Sequence, residues 1–253
     1  MQNNLLQKLP TRTLARLTPS LEEVDLRRGQ ILEEPRLSVT HAYFIDAGIV
    51  SIQARTSSDG LLGAGIIGSG GMTGLPIVLR TGRSPLRAVV QSAGRARRIA
   101  ADRLVDLLDE DPALQRALFG YVQAVLVQSS YLALCNARHS VDQRVRRWLL
   151  LARIAVGADD ICVTHNTIAG LLGVRRPSVT DTLSELQRAG GIEQQRGCIV
   201  VRDRDLLAHG ACDCHRIIAA EFARVGTLAP ARADGLAAAR TGSVDLEQGT
   251  RRA

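Results

Sequence analysis

The sequence predicts an α+β chain: a strand-rich N-terminal half, one long helix, and a C-terminal helix-turn-helix followed by a hairpin. Three observations predict it. Short runs of alternating apolar residues, parted by Gly-rich turns, recur between Glu22 and Ile99. From Leu114 to Asn136 there is no Pro and Gly120 is the only Gly. Val163 to Val201, VTHNTIAGLLGVRRPSVTDTLSELQRAGGIEQQRGCIVV, holds two short amphipathic helices joined by a Gly turn.

Leu5 to Leu17 reads as one or two short helices broken at Pro10, and Glu22 to Leu32 as a strand with a turn at Arg28-Gly29. His41 to Arg55 reads as two short strands around Asp46-Ala47-Gly48, with Tyr43, Ile45 and Ile49 alternating. Ser57 to Gly60 is a turn, Leu61 to Ile67 a strand, Gly68 to Gly74 a glycine-rich loop, and Arg87 to Ile99 a strand with a turn near Gly94. Many short strands and Gly turns imply a sandwich or roll.

Asp111-Pro112 opens the long helix, Asp as N-cap and Pro at its first position. Leu114, Leu118, Tyr121, Val125, Leu132 and Cys135 form one apolar stripe, with Gln128 the polar exception; Val122, Leu126, Ser129 and Ala133 form a second beside it. An arc this wide needs two surfaces to cover it. One is expected to be the β-domain and the other a second copy of the same helix in a parallel coiled coil; the alternative is a single helix buried within one chain. Ser140-Val-Asp-Gln143 is a capping box for the next helix. In that helix Val145, Trp148, Leu149 and Ala152 face inward, with Arg144, Arg146, Arg147 and Arg153 toward water or phosphate.

Thr164 caps the first helix of the motif, Gly173 supplies the turn, Pro177 sits in the first turn of the second helix, and Gly190-Gly191 stop it. Val179, Leu183 and Leu186 are that helix's apolar stripe. Its start, Arg175, Arg176, Pro177 and Ser178, then Thr180 and Asp181, is basic and polar. In a helix-turn-helix this end meets the DNA major groove, where Arg suits guanine and Ser or Thr a base or phosphate. Ile192 and Ile199 to Val201 flank a polar hairpin with Arg196-Gly197 at its tip, a wing placed for a backbone contact. A last helix runs from Asp203 to about Arg224, and 227–253 reads as a disordered tail.

This stretch resembles the winged helix-turn-helix of the Crp/Fnr family of bacterial transcription regulators. YFIDAGIVSI, GSGGMTGL and RSPLRAVVQ are similar to that family's cyclic-nucleotide-binding fold. The resemblance spans roughly residues 10 to 225. It implies a double-stranded β-helix (β-roll) sensor over 1–110, a dimerisation helix over 111–138 and a winged helix-turn-helix over 139–226. It also implies a cytoplasmic homodimer with double-stranded DNA and RNA polymerase as partners. Arg176 matches the family's common base-reading Arg. Pro177 and Asp181 differ from the Glu and Arg of its best-known members, so their operator does not carry over.

The family's nucleotide-responsive members hold ribose with a Gly-Glu pair and the cyclic phosphate with Arg-Ser-Ala. Here Gly71 is followed by Met72, which offers a hydroxyl no carboxylate. Arg83-Ser84-Pro85, with Arg87, leaves an Arg for an anion at a different loop length. The expected pocket is therefore Gly71, Met72, Arg83, Ser84 and Arg87, without cyclic nucleotide as an assigned cofactor.

The net charge of +7 and pI near 9.8 fit a polyanionic partner. The N-terminus lacks the apolar run of a signal peptide, and no segment reads as membrane-spanning. Cys135, Cys162, Cys198, Cys212 and Cys214 lack a disulfide framework and are expected to be reduced thiols. Cys212-Asp-Cys214-His215 is expected to bind no metal, because helix positions two apart diverge. Gly68 to Gly74 lacks the Lys of a P-loop. With no catalytic constellation, the chain is expected not to be an enzyme. The rival readings are a strict cAMP or cGMP receptor, and a protein-interaction module or enzyme regulatory subunit that binds no DNA.

Overall fold

The computed structural model describes residues 3–55 and 61–226. The expected turn at Ser57 to Gly60 and the tail 227–253 lie outside them.

Pro10 parts α1 (Asn4–Gln7) from α2 (Thr11–Leu17), and a single 3-10 turn, Thr18–Ser20, leads into the sheet. The sheet contains β1 (Glu22–Leu26), β2 (Ile31–Glu33), β3 (His41–Arg55), β4 (Leu61–Ile67) and β5 (Arg87–Ala100). Its order is β1-β5-β3-β4, with β2 also beside β5, and every pairing is antiparallel. Val24 faces Ala96, Ile45 also faces Ala96, and Ile52 faces Ala88.

Two expected turns are instead bends in continuous strands. β3 runs through Asp46 to Gly48 with register shifts on either side of Ala47, and Gly48 takes φ +96°. Opposite it, a Cβ on Gly94 would lie 2.0 Å from the Ala47 carbonyl oxygen. Gly94 lets the bulged strand close in, so β5 curves where a turn was expected.

Beyond the glycine loop come α3 (Leu75–Val78) and, after β5, α4 (Ala101–Glu110), which the sequence reading passed over. Leu104, Leu107 and Leu108 of α4 are buried. α5 (Pro112–Arg138) starts as expected, with the Asp111 carboxylate accepting from the Ala113 and Leu114 amides. Phe44, Met72, Ile99, Leu104, Leu118 and Tyr121 pack in one core between sheet and helices. Leu26, Ile45, Val50, Ile67 and Val90 pack in another, within the sheet.

α5 binds the β-domain through polar as well as apolar groups. The Tyr121 hydroxyl accepts from the Met72 amide at 3.1 Å and donates to the Met72 carbonyl at 3.0 Å. Gln128 donates to the Ile66 carbonyl at 3.4 Å. By length and composition alone α5 would suffice to cross a membrane, contrary to the expectation that no segment reaches that threshold. Here its inner face is a wall of the protein core.

The C-terminal half begins with α6 (Val141–Val156), whose capping box forms as expected. β6 (Asp160–Ile161), α7 (His165–Leu172), α8 (Arg176–Arg188), β7 (Ile192–Gln195) and β8 (Cys198–Val201) follow. The expected last helix is two: α9 (Arg204–His209) and α10 (Cys214–Arg224). Trp148, Leu149, Ile168, Leu172, Leu183 and Ile199 share one core, which Ile49 of β3 joins.

Glycines let the halves meet at backbone distance. The Ser69 amide donates to the Ala155 carbonyl, at the end of α6, at 2.8 Å. A Cβ on Gly68 would sit 2.2 Å from that oxygen, and one on Gly63 2.7 Å from the Leu171 carbonyl oxygen in α7.

Glu33 is buried, and its carboxylate accepts from the Gly74 amide at 2.6 Å. Burial pushes its pKa above the ordinary carboxylate range, against the opposing pull of that amide. A carboxyl whose folded pKa is raised contributes stability below the unfolded value of about 4.3 and loses it as pH rises through the folded value. Glu33→Gln, which keeps an acceptor for Gly74, is expected to remove this loss. Urea denaturation at several pH values should show the variant gaining on the native chain as pH rises above about 4. A constant difference between the two across that range would contradict the assignment.

Candidate nucleic-acid interface

The Thr164 hydroxyl accepts from the Thr167 amide at 3.1 Å and caps α7. Gly173, at φ +62°, ends it, and the Val174 amide returns to the Ala169 carbonyl at 3.0 Å. Arg175 is extended and is the N-cap of α8, so Pro177 falls in the first turn, where no amide is needed. Val179, Thr182, Leu183 and Leu186 form the buried side of α8.

The other side carries most of the expected contacts. Arg175, Arg176, Pro177 and Asp181 are exposed, and Ser178 and Thr180 are half-buried. Neither Arg175 nor Arg176 forms an ion pair among the described residues. No side chain caps α8, so its first amides and the positive end of its dipole share this surface with the two guanidinium groups. Thr180 is less free, since its hydroxyl lies 3.1 Å from His165 Nδ1.

The wing is a three-stranded sheet in the order β6-β8-β7, and its third strand, β6, was not expected. Arg196 is exposed at the tip beside Gly197, which takes φ +80°. Gln187 of α8 accepts from the Gln194 amide at 2.7 Å and fixes the wing against the helix. Between wing and helices lies an open cleft of 390 Å³. Thr164 and Arg176 line it together with His165, Asn166 and Gln195, which the sequence reading missed. The Thr164 cap marks where α7 starts, but no local signal tells which way the wing folds toward it.

The expected pocket residues have other engagements. Met72 is fully buried in the core. The Gly71 carbonyl accepts from the Ile45 amide at 3.0 Å and from the Asn3 side chain at 2.9 Å. Arg83 is exposed and donates to Ser38 at 3.4 Å, while the Ser84 hydroxyl accepts from the Leu86 amide at 3.0 Å. Arg87 pairs with Glu34 at 3.2 Å.

Three expectations are corrected. Cys162 and Cys198 are joined in a disulfide, because β6 and β8 pair with Ile161 opposite Ile199 and so place the two cysteines side by side. Arg147 does not face water or phosphate; it is 2% exposed, on the same side of α6 as Trp148 and Leu151. The Cys212 and Cys214 thiols do not diverge. Cys212 precedes α10, Cys214 is its first residue, and both meet Cys135 and His139.

The model of the Crp-like helix-turn-helix domain matches residues 143–209. No curated protein sequence matches the chain. Among solved structures, FixK2 from Bradyrhizobium japonicum superposes with a TM-score of 0.64 at 19% identity, covering 76% of this chain and 98% of that one. A transcriptional regulator of the Crp/Fnr family from Eubacterium rectale gives 0.62 at 18%, covering 81% and 96%. The c-di-GMP-responsive global regulator CLP of Xanthomonas campestris gives 0.60 at 20%, covering 76% and 99%. At these identities the likeness is one of fold. Residues 143–209 thus form a helix-turn-helix domain of the Crp-like kind. With the β-domain and long helix that precede it, the chain has the fold of the Crp/Fnr transcription regulators.

Proposed function

We propose that this protein is a homodimeric, sequence-specific transcription regulator whose α8 enters the DNA major groove. The observation that carries the reading is the exposed start of α8. Arg175, Arg176 and Ser178 stand there beside an uncapped helix end and a wing, in a domain matched as Crp-like. Arg176 reads a base, Arg175 and Ser178 contact a base or phosphate, and Arg196 meets the backbone. RNA polymerase is the further partner of such a regulator, and the cytoplasm is where it would work. Because the Gly71–Met72 loop and Arg83 and Arg87 have separate partners, the reading assigns no cyclic nucleotide to the β-domain.

Dimerisation is supported by the outer face of α5. Phe119, Val122, Leu126, Ser129 and Ala133 recur at alternating steps of three and four, the period of a coiled-coil seam. Phe119 is 47% exposed and Leu126 58%, so the seam is uncovered in the single chain. Two copies paired along it would present two α8 helices to half-sites about 34 Å apart.

Selection from a random DNA pool tests the whole reading: an inverted repeat should be recovered, and its affinity should fall steeply with salt as counterions are taken up again. Arg176→Ala should weaken binding to that repeat by about 1–3 kcal/mol and relax selectivity at one position per half-site, measured by gel-shift titration. Unchanged affinity and selectivity would remove Arg176 from the interface. Leu126→Glu should convert the dimer to a folded monomer in light-scattering chromatography. A dimer of unchanged mass would place the interface elsewhere.

A further inference from the structure

Four side chains from two distant stretches converge where the β-domain half meets the C-terminal half. Cys135 and His139 lie one helical turn apart at the end of α5. Cys212 and Cys214 stand at the start of α10, which packs against both α5 and α6. Their four donor atoms all lie within 4.8 Å of one another. The Cys135 and Cys212 sulfurs are 3.5 Å apart, and the Cys214 sulfur is 3.7 Å from His139 Nδ1. A tetrahedral zinc site with metal–sulfur bonds of about 2.3 Å has edges of about 3.5–3.8 Å. We propose that Cys135, His139, Cys212 and Cys214 form a structural zinc site that fastens α10 to the joint between α5 and α6.

The chemistry of the donors favours zinc. Three sulfurs and one imidazole nitrogen make a closed four-ligand set with no position left for water, the pattern of a structural site. On binding, the three thiols release their protons to solvent and bind as thiolates, and the imidazole binds neutral. The divalent ion with three thiolates then carries one net negative charge.

Arg147 supplies the opposite charge. Its guanidinium is buried, and its Nε and Nη1 have no hydrogen-bond partner. Burial pushes its pKa below the ordinary Arg value. A lone guanidinium in such a place is costly, and beside an anionic metal–thiolate centre it is compensated.

The test uses the full chain with thiols kept reduced. The purified protein should hold one zinc per chain by elemental analysis. After the metal is stripped, cobalt(II) should give the visible bands of a tetrahedral thiolate site, saturating at one equivalent and displaced by zinc. Cys214→Ser and His139→Gln should each abolish or shift that spectrum. Cys162→Ser, outside the cluster, should leave it unchanged and shows that any cysteine does not suffice. No tetrahedral cobalt signal on the folded, reduced native chain would overturn the proposal, as would a signal that survives Cys212→Ala with Cys214→Ala. Stoichiometric iron with inorganic sulfide, or a Cys135–Cys212 disulfide in place of bound metal, would overturn it equally. None of these readouts involves DNA, so their outcome is separate from that of the DNA-binding reading.

Discussion

The two-sided apolar surface of α5 constrains everything else in this molecule. A helix apolar over so wide an arc is unstable as a bare surface helix, because each uncovered Leu or Phe forgoes about 1.5–3 kcal/mol of burial. The chain covers the inner side with its own β-domain, α4 and α10, and fixes depth and rotation with the Tyr121 hydroxyl on both backbone groups of Met72. That choice settles which side remains. Phe119 and Leu126 then point away from the core, and the partner that suits a seam of that period is a second α5.

The same helix sets where the helix-turn-helix half can sit. His139 is its C-cap, and the Ser140 capping box starts α6 at the next residue, so the joint has almost no slack. The glycine loop then serves as a dock for α6. Gly68 lets Ser69 reach the Ala155 carbonyl, one of the acceptors a helix end leaves without an internal partner. Gly63 does the same for the end of α7. With α6 and α7 held by backbone contacts, α8 is left on the outside, its apolar side down and Arg175 and Arg176 outward. The β-domain therefore reaches α8 through α6 and α7, which it contacts directly.

What could be read beforehand follows the range of the interaction that decides it. The Thr164 and Asp111 caps, the Ser140–Gln143 box and the Gly173 turn are settled within four residues, and each forms as the sequence implies. The polar start of α8 was legible for the same reason, since Pro177 and the Val179, Leu183, Leu186 stripe orient the helix locally. The errors lie where distant segments decide. Gly48 and Gly94 look like turn residues, but they are bends because each strand has a partner pressing on it. β6 is two residues long and exists only because β8 lies beside it. Cys135 and Cys212 are separated by 77 positions, and no spacing rule connects them.

Arg147 shows how the two kinds of information meet. Its place in an Arg-rich helix reads as solvated, because three neighbours of the same charge surround it in sequence. Arg146 does follow the local rule, pairing with Asp142 one turn earlier at 2.8 Å. Arg147 is rotated onward by one residue, onto the side that Trp148 and Leu151 define as core. A guanidinium stays charged in nearly any protein environment, so the fold must answer it with negative charge or leave a large cost uncompensated. Among the described residues no carboxylate forms an ion pair with it, and the thiols at the end of α5 and the start of α10 are the acidic groups of the proposed metal site. An anionic centre built from those thiols satisfies α6, α5 and α10 together, and ties the joint by charge as well as by packing.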